Sequence, residues 1–204
     1  MDFFNLYQHG FARVAACTFP ITLVQPRRNA EAVLAQAREV AAEGAVLAVF
    51  PELCLTGYTC GDLFFHDRLV RGALEELKAV LEKTREVDML IVVGLPVADG
   101  NCLYNCAAVV QNGQILGVVP KRNPPNYGEF YELRHFAPGV AQVHPIELLG
   151  KAVPFGGDLL FVCENMPEFK LAVEICEDLW SADPPSRKLC QAGATVILNL
   201  SASD

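Results

Sequence analysis

Short apolar runs alternate with helical patterns along the chain. Residues 13–18 predict a first strand. Asn29 is placed to cap a helix running to about Ala42, with Val33, Leu34, Ala37, Val40 and Ala41 on one face and Gly44 past its end. Residues 45–50 are apolar throughout and stop at Pro51, the pattern of a strand covered on both faces. A second helix opens at Asp67. In it Val70, Leu74, Leu77 and Leu81 recur at helical spacing, while Glu75, Glu76, Lys78 and Glu82 fall on the solvent side. Residues 89–95 predict another buried strand. Residues 103–110 and 114–119 flank Asn112-Gly113, a dipeptide that favours the type I′ turn of a hairpin. Residues 120–157 are rich in Pro and Gly without clear periodicity, so a long functional loop is expected there. Residues 158–163 and 170–175 predict a second antiparallel pair, 185–193 a short helix and 194–200 a last apolar strand.

Strands and helices interleave, which is an α/β pattern, but two antiparallel pairs interrupt a simple parallel order and predict a mixed sheet. A sandwich of sheets with helices outside fits that pattern, though the pattern alone does not decide it. The 204 residues suit one domain, 1–204, long enough to bury a substantial core. The 52% hydrophobic content forms no run long enough to cross a bilayer, so no membrane partner is expected. Acidic Asp2, with no basic segment ahead of an apolar stretch, argues against a secretory signal. A net charge of −8 without a Lys/Arg cluster argues against nucleic acid and suits a cytoplasmic protein.

The eight cysteines do not form a disulfide or zinc pattern. Cys17, Cys106, Cys163 and Cys176 fall in expected strands or apolar segments, where free cysteine is a small hydrophobe. The CxxxC pair Cys102 and Cys106 has no partner pair at metal-ligand spacing, so a reduced intracellular chain is expected. His9, His66, His135 and His144 are scattered, and neither a P-loop nor a dinucleotide-binding glycine pattern occurs. No metal or cofactor is expected in this domain. The chain stops at Asp204 directly after a buried-type strand, so the natural domain is expected to continue beyond it.

Three polar residues stand in one kind of place. Glu52, Lys121 and Cys176 each follow an apolar strand, where functional side chains gather at the end of a sheet. A thiol attacks a carbonyl only as thiolate, and a carboxylate beside it can take the proton. An ammonium, together with the backbone N–H after the cysteine, would stabilise the charge that develops on the carbonyl oxygen. Residues 174–180 fit a strand turning into a helix, whose N-terminus would add partial positive charge at the sulfur. Each residue also has a plain reading: Cys176 as a core thiol, Glu52 as a solvated carboxylate, Lys121 beside Arg122 as a surface cation. Their spacing is not a local signature and leaves both readings open.

The flanking residues change that weight. Phe50-Pro51-Glu52-Leu53 with Thr56-Gly57-Tyr58 resembles the catalytic-glutamate segment of the nitrilase superfamily. Pro120-Lys121-Arg122 resembles its lysine segment and Glu174-Ile175-Cys176-Glu177-Asp178 its cysteine segment, in the same order. Narrower likenesses lie in Leu55-Thr56-Gly57-Tyr58 followed by Asp62-Leu63, and in Pro125-Asn126-Tyr127-Gly128-Glu129-Phe130-Tyr131-Glu132. With Glu177-Asp178-Leu179-Trp180 and Asn199-Leu200-Ser201-Ala202-Ser203 they resemble the amidase part of glutamine-dependent NAD synthetases. General nitrilases and carbamoylases usually carry a different pattern after the cysteine.

The resemblance implies a four-layer α-β-β-α sandwich, incomplete at its C-terminal end, that hydrolyses L-glutamine to glutamate and ammonia. It implies a synthetase domain of the same parent chain, absent here, that uses ATP and Mg2+ to amidate nicotinic acid adenine dinucleotide, and assembly into homo-oligomers. By the same resemblance Glu52 is the general base and Cys176 forms a glutamyl thioester. Lys121 and the Glu177 N–H hold the oxyanion, and Glu132 positions the lysine. Tyr58, Tyr127, Glu177, Trp180 and Ser203 look like glutamine-pocket positions. From spacing alone Glu132 suits a loop carboxylate paired with Arg134 equally well, the aromatics suit core packing, and Glu177 suits a helix start. Asp204 stands where the family usually has proline, and an arginine that helps bind the substrate carboxylate is expected beyond it. Two rivals are a stand-alone amidase or carbamoylase with the same triad, and a catalytically silent sandwich used for assembly. Retention of Glu52, Lys121 and Cys176 together argues against the silent form.

Overall fold

Strands that are apolar on both faces need a covering layer on each side, and two long amphipathic helices supply one of them. The computed structural model describes residues 5–203, so the expectations resting on Asp2 and Asp204 lie outside the described residues. Seven strands form the larger sheet: β1 (Val14–Ala16), β2 (Leu47–Val49), β3 (Leu90–Asp99), β4 (Cys102–Gln111), β5 (Gln114–Pro120), β6 (His144–Leu148) and β7 (Lys151–Phe155). Their order is β1-β2-β3-β4-β5-β7-β6. A second sheet holds β8 (Phe161–Val162), β9 (Lys170–Ile175) and β10 (Val196–Leu200) in the order β10-β9-β8.

Successive side chains on a strand point to opposite faces, and each face of the larger sheet finds its own partner. Ile91, Val93 and Leu95 of β3 pack with Val33, Leu34 and Ala37 of α1 (Pro26–Ala42) and Ala73, Leu77 and Val80 of α2 (Asp67–Lys83). Leu90 and Val92, on the other face, join Leu171, Val173, Ile175, Leu198 and Leu200 of the smaller sheet. Beyond β9 lies α3 (Pro185–Gln191), where the Ser186 N–H donates to the buried Glu174 carboxylate at 3.0 Å. The result is the four-layer α-β-β-α sandwich. Because both faces of the larger sheet are apolar, alternation alone does not set its register. The Asn112-Gly113 turn does so for β4 and β5: both residues have positive φ, 50° and 73°, as a type I′ turn requires.

Several elements differ from expectation. The first helix starts at Pro26, whose fixed φ and missing N–H suit a first turn, and not at Asn29. The Asn29 side chain turns inward instead. It accepts the Thr22 N–H at 2.9 Å and donates to the carbonyls of Thr22 (2.9 Å) and Leu55 (3.1 Å). The stretch 120–157 is not one loop but contains a 3-10 turn, Glu132–Arg134, and the β6–β7 hairpin, turned by Leu149 and Gly150. Its inward residues Ile146, Leu148, Val153 and Phe155 do alternate, but Pro145 and Pro154, paired opposite each other, mask the pattern. The first strand and β8 are shorter than expected. Residues Cys176–Trp180 form one 3-10 turn, not the start of an α-helix, so no helix dipole of any length acts on the sulfur. Among the described residues no helix is long and apolar enough to cross a membrane.

Candidate active site

The backbone turns sharply after β2, and Glu52 sits in that turn between Pro51 and a left-handed Leu53 (φ 49°). The turn is pressed onto β3: a Cβ at Gly94 would lie 2.3 Å from the Leu53 nitrogen and 2.5 Å from the Pro51 oxygen. Only glycine allows that approach. Lys121 leaves the end of β5, with its N–H bonded to the Asn105 carbonyl of β4 at 2.8 Å. Strand β2 is parallel to β3, and β3 and β5 are each antiparallel to β4, so β2 and β5 run the same way. Glu52 and Lys121 therefore emerge at one edge of the sheet.

They meet there. Lys121 Nζ lies 2.7 Å from Glu52 Oε1 and 2.6 Å from Glu132 Oε1, all three side chains buried. Arg134 goes elsewhere, forming a two-pronged surface pair with Asp62 at 2.7 and 2.9 Å. Asn105 Nδ2 donates to Glu52 Oε1 at 2.6 Å and reaches Glu132 Oε2 at 3.5 Å. The Tyr58 hydroxyl donates to Glu132 Oε1 at 2.6 Å, and its ring centroid is 5.9 Å from the Lys121 ammonium.

Two carboxylates thus share one cation away from water. Burial pushes the Glu52 carboxyl up; Lys121 opposes this, Glu132 reinforces it, and the net direction is upward. Burial alone would pull the Lys121 ammonium down, but Glu52 and Glu132 outweigh it and hold the ammonium above its ordinary range. Burial and the bond to Glu132 push the Tyr58 phenol up, so it stays a neutral donor.

Cys176 occupies the corner where β9 meets the 3-10 turn, with φ at 44°, a strained conformation for any residue with a Cβ. Asp178 locks this corner. Its buried carboxylate accepts the N–H groups of Ile175 (3.1 Å), Arg122 (3.0 Å) and Asn123 (2.8 Å) and the Asn123 side-chain amide (2.9 Å). One side chain therefore ties the strand that ends at Cys176, in the smaller sheet, to the segment that follows Lys121 in the larger. From β10, Asn199 Nδ2 donates to the Cys176 carbonyl at 3.3 Å. Burial and then the charge of Glu52 push the Cys176 thiol up, while Lys121, the Ala202 N–H and the Ser201 side chain pull it down; the net direction is upward. A thiol in that state is mostly protonated near neutrality and needs a base to become a nucleophile.

The other residues singled out from the sequence lie further out. The Tyr127 hydroxyl donates to Glu177 Oε1 at 2.8 Å, with Tyr127 59% exposed. Trp180 is 75% exposed, and Ser203 is exposed just beyond the residues that reach the sulfur. Asn105 and Asp178 were missed. Asn105 is the polar residue inside the apolar run of 103–110, and a polar side chain on a strand buried on both faces is a signal in itself. Asp178 follows Glu177 and reads from the sequence as a second solvated acid. Among the described residues no group of three or more His, Cys, Asp or Glu side chains is arranged to hold a metal ion.

A sandwich of this topology, with buried carboxylates and an ammonium facing a strained cysteine, defines an amide-hydrolase type of site. The carbon-nitrogen hydrolase family model matches residues 13–204, and the chain belongs to that family. It is 45% identical over 203 residues to the glutamine-dependent NAD(+) synthetase of Mycobacterium tuberculosis (strain H37Rv), covering 100% of this chain and 30% of the relative. The crystal structure of a glutamine-dependent NAD(+) synthetase from Cytophaga hutchinsonii superposes with a TM-score of 0.82 at 28% identity, over 94% of this chain and 30% of that one. An amidase from Nesterenkonia sp. shares the fold, with a TM-score of 0.70 at 21% identity over 93% of this chain and 64% of that one. The chain spans about 30% of the length of the curated relatives it matches.

Proposed function

We propose that residues 1–204 belong to one nitrilase-like amidotransferase domain, the part of a glutamine-dependent NAD synthetase that releases ammonia from L-glutamine. The observation that carries this reading is the buried Glu52–Lys121–Glu132 cluster at the same edge as the strained Cys176. Glu52 takes the Cys176 proton, and the sulfur attacks the side-chain amide carbon of glutamine. The carbonyl oxygen, now carrying the charge, is held by the Lys121 ammonium and the Glu177 N–H. When the C–N bond breaks, the Glu52 proton passes to the departing nitrogen, which leaves as ammonia. The remaining glutamyl thioester is hydrolysed by a water whose proton Glu52 accepts; glutamate departs and the thiol is restored. Glu132 keeps the ammonium in place throughout and touches no substrate.

The exposed Tyr127–Glu177 pair supports the choice of substrate. A zwitterionic amino acid needs a carboxylate for its ammonium, and Glu177 offers one at the rim, with Trp180, Tyr58 and Ser203 completing the pocket. The ammonia then passes to the synthetase part of the parent chain, where ATP and Mg2+ drive its addition to nicotinic acid adenine dinucleotide.

Labelling with a glutamine-like diazoketone, read by intact mass with Cys176→Ala as control, tests the assignment. One adduct on Cys176 that glutamine blocks is the expected result. An adduct that glutamine does not block would assign another amide to the site. Equal labelling of the alanine variant would remove Cys176 from the nucleophile's role.

A further inference from the structure

We propose that Asn105 is a positioning residue for the base: its side-chain amide anchors one oxygen of Glu52 and so reserves the other for the Cys176 proton. The inference rests on the reading of Glu52 as the base. Asn105 lies on β4 opposite Pro96 of β3, and only 1% of it is exposed. Its neighbours, Glu52 Oε1 and Glu132 Oε2, are carboxylate oxygens that accept hydrogen bonds, so the amide must present its nitrogen to them. Glu52 Oε1 therefore holds two donors, Lys121 at 2.7 Å and Asn105 at 2.6 Å. Glu52 Oε2 is buried with no hydrogen-bond partner. A buried carboxylate oxygen without a donor is uncommon and costly, and in a base it is where the proton goes. In the attack the S–H bond breaks, the proton moves to Oε2, and the sulfur pair forms the bond to the amide carbon. Oε1 keeps both donors, so only one oxygen is free to receive the proton.

The groups facing Glu52 fix the direction of the effect. They are Lys121 after β5, Glu132 from its 3-10 turn, the Tyr58 phenol and the Cys176 thiol from the end of β9. Burial and Glu132 favour the neutral carboxyl; Lys121 and Asn105 favour the charged one. Loss of the Asn105 donor therefore moves ionisation of the base to higher pH.

The test uses Asn105→Leu and Asn105→Asp, with Thr84→Val, a buried polar position at the end of α2, as control. Two rates are followed against pH: kcat/KM for glutamine hydrolysis, and alkylation of Cys176 by iodoacetamide, located by peptide mass. In Asn105→Leu the acid limb of both profiles should move up by about one pH unit or more. In Asn105→Asp, where a third carboxylate replaces the donor, it should move further. Thr84→Val should leave both limbs unmoved. A uniform drop in rate with the limb in place would overturn the proposal and leave Asn105 as packing only. If the leucine variant lacks a cooperative melt, the nearly isosteric aspartate variant decides by the same criterion. Alkylation needs no glutamine. A shifted alkylation limb in a protein that leaves glutamine intact would therefore refute the substrate and keep the positioning role.

Discussion

Two tyrosine–glutamate pairs lie at the same edge of the sandwich and differ only in surroundings. Tyr58 donates to Glu132 at 2.6 Å inside the cluster; Tyr127 donates to Glu177 at 2.8 Å on the surface. Glu132 is 4% exposed and also holds Lys121, so water does not compete for its oxygen and the bond fixes the geometry of the cluster. Tyr127 is 59% exposed, so water or an incoming ammonium exchanges with its bond at little cost. The same chemistry is thus rigid inside the cluster, where the proposed reaction needs fixed groups, and yielding at the rim, where the proposed substrate would enter. Pre-organised charge belongs in the buried part, where reorganisation at the moment of reaction would be costly.

The strongest way to break this contrast is Lys121→Met. It keeps the packing and removes the cation, leaving Glu52 and Glu132 buried together. Removing one partner of a buried ion pair costs about 3–5 kcal/mol, so urea melts at neutral pH should show a loss of that order alongside complete loss of amide hydrolysis. The pH dependence has a definite sign. Glu52 loses the charge that opposed the effect of its burial, so in the variant it holds its proton in the folded state more tightly than when unfolded. Stability should therefore recover as pH falls from 8 towards 5, and equal melts at the two values would mean that the cluster is not isolated from water. A smaller break comes from Gly94→Ala. The added methyl overlaps the backbone of the Glu52 turn, which must shift, at about 1–3 kcal/mol by analogy with overpacked cores. Melting should drop by that amount, and if Glu52 is the base as proposed, hydrolysis should fall further than stability does, because Glu52 moves while the Cys176 thiol stays in place.

Some of this was legible in the sequence. Runs such as 45–50 and 89–95 marked strands covered twice, and Asn112-Gly113 marked its hairpin, because their signals are local. Glu52, Lys121 and Cys176 stood out because each interrupts a chain of apolar residues at its end. What could not be read depends on tertiary partners. Pro145 and Pro154 look like strand breakers until they are seen facing each other across an edge hairpin. Asn29 has the residue type of a helix cap, yet loop carbonyls from Thr22 and Leu55 claim its side chain. Glu132 had Arg134 two residues away as an apparent partner, but Asp62, distant in sequence, takes the arginine and leaves the glutamate to Lys121. Asp178 serves two sheets at once, and no pattern within one segment reports that.

The mildest perturbation sharpens the comparison most directly: remove each phenol oxygen in turn. Tyr58→Phe takes a donor from Glu132 inside the cluster while Lys121 remains, so the cost should be about 1–2 kcal/mol, the usual scale for a hydrogen bond to a charged group. If, as proposed, Glu132 holds the ammonium that meets the oxyanion, the catalytic loss should appear in kcat, with KM for glutamine changed little. Tyr127→Phe should leave the melting temperature where it was, since its bond is already in competition with water. If Glu177 receives the substrate ammonium, losing the hydroxyl that orients it should raise KM and spare kcat. The two variants would then split the site into a part that sets the rate and a part that sets binding. A kcat effect from Tyr127→Phe equal to that of Tyr58→Phe would show that exposure does not separate them, and that the rim is as pre-organised as the cluster behind it.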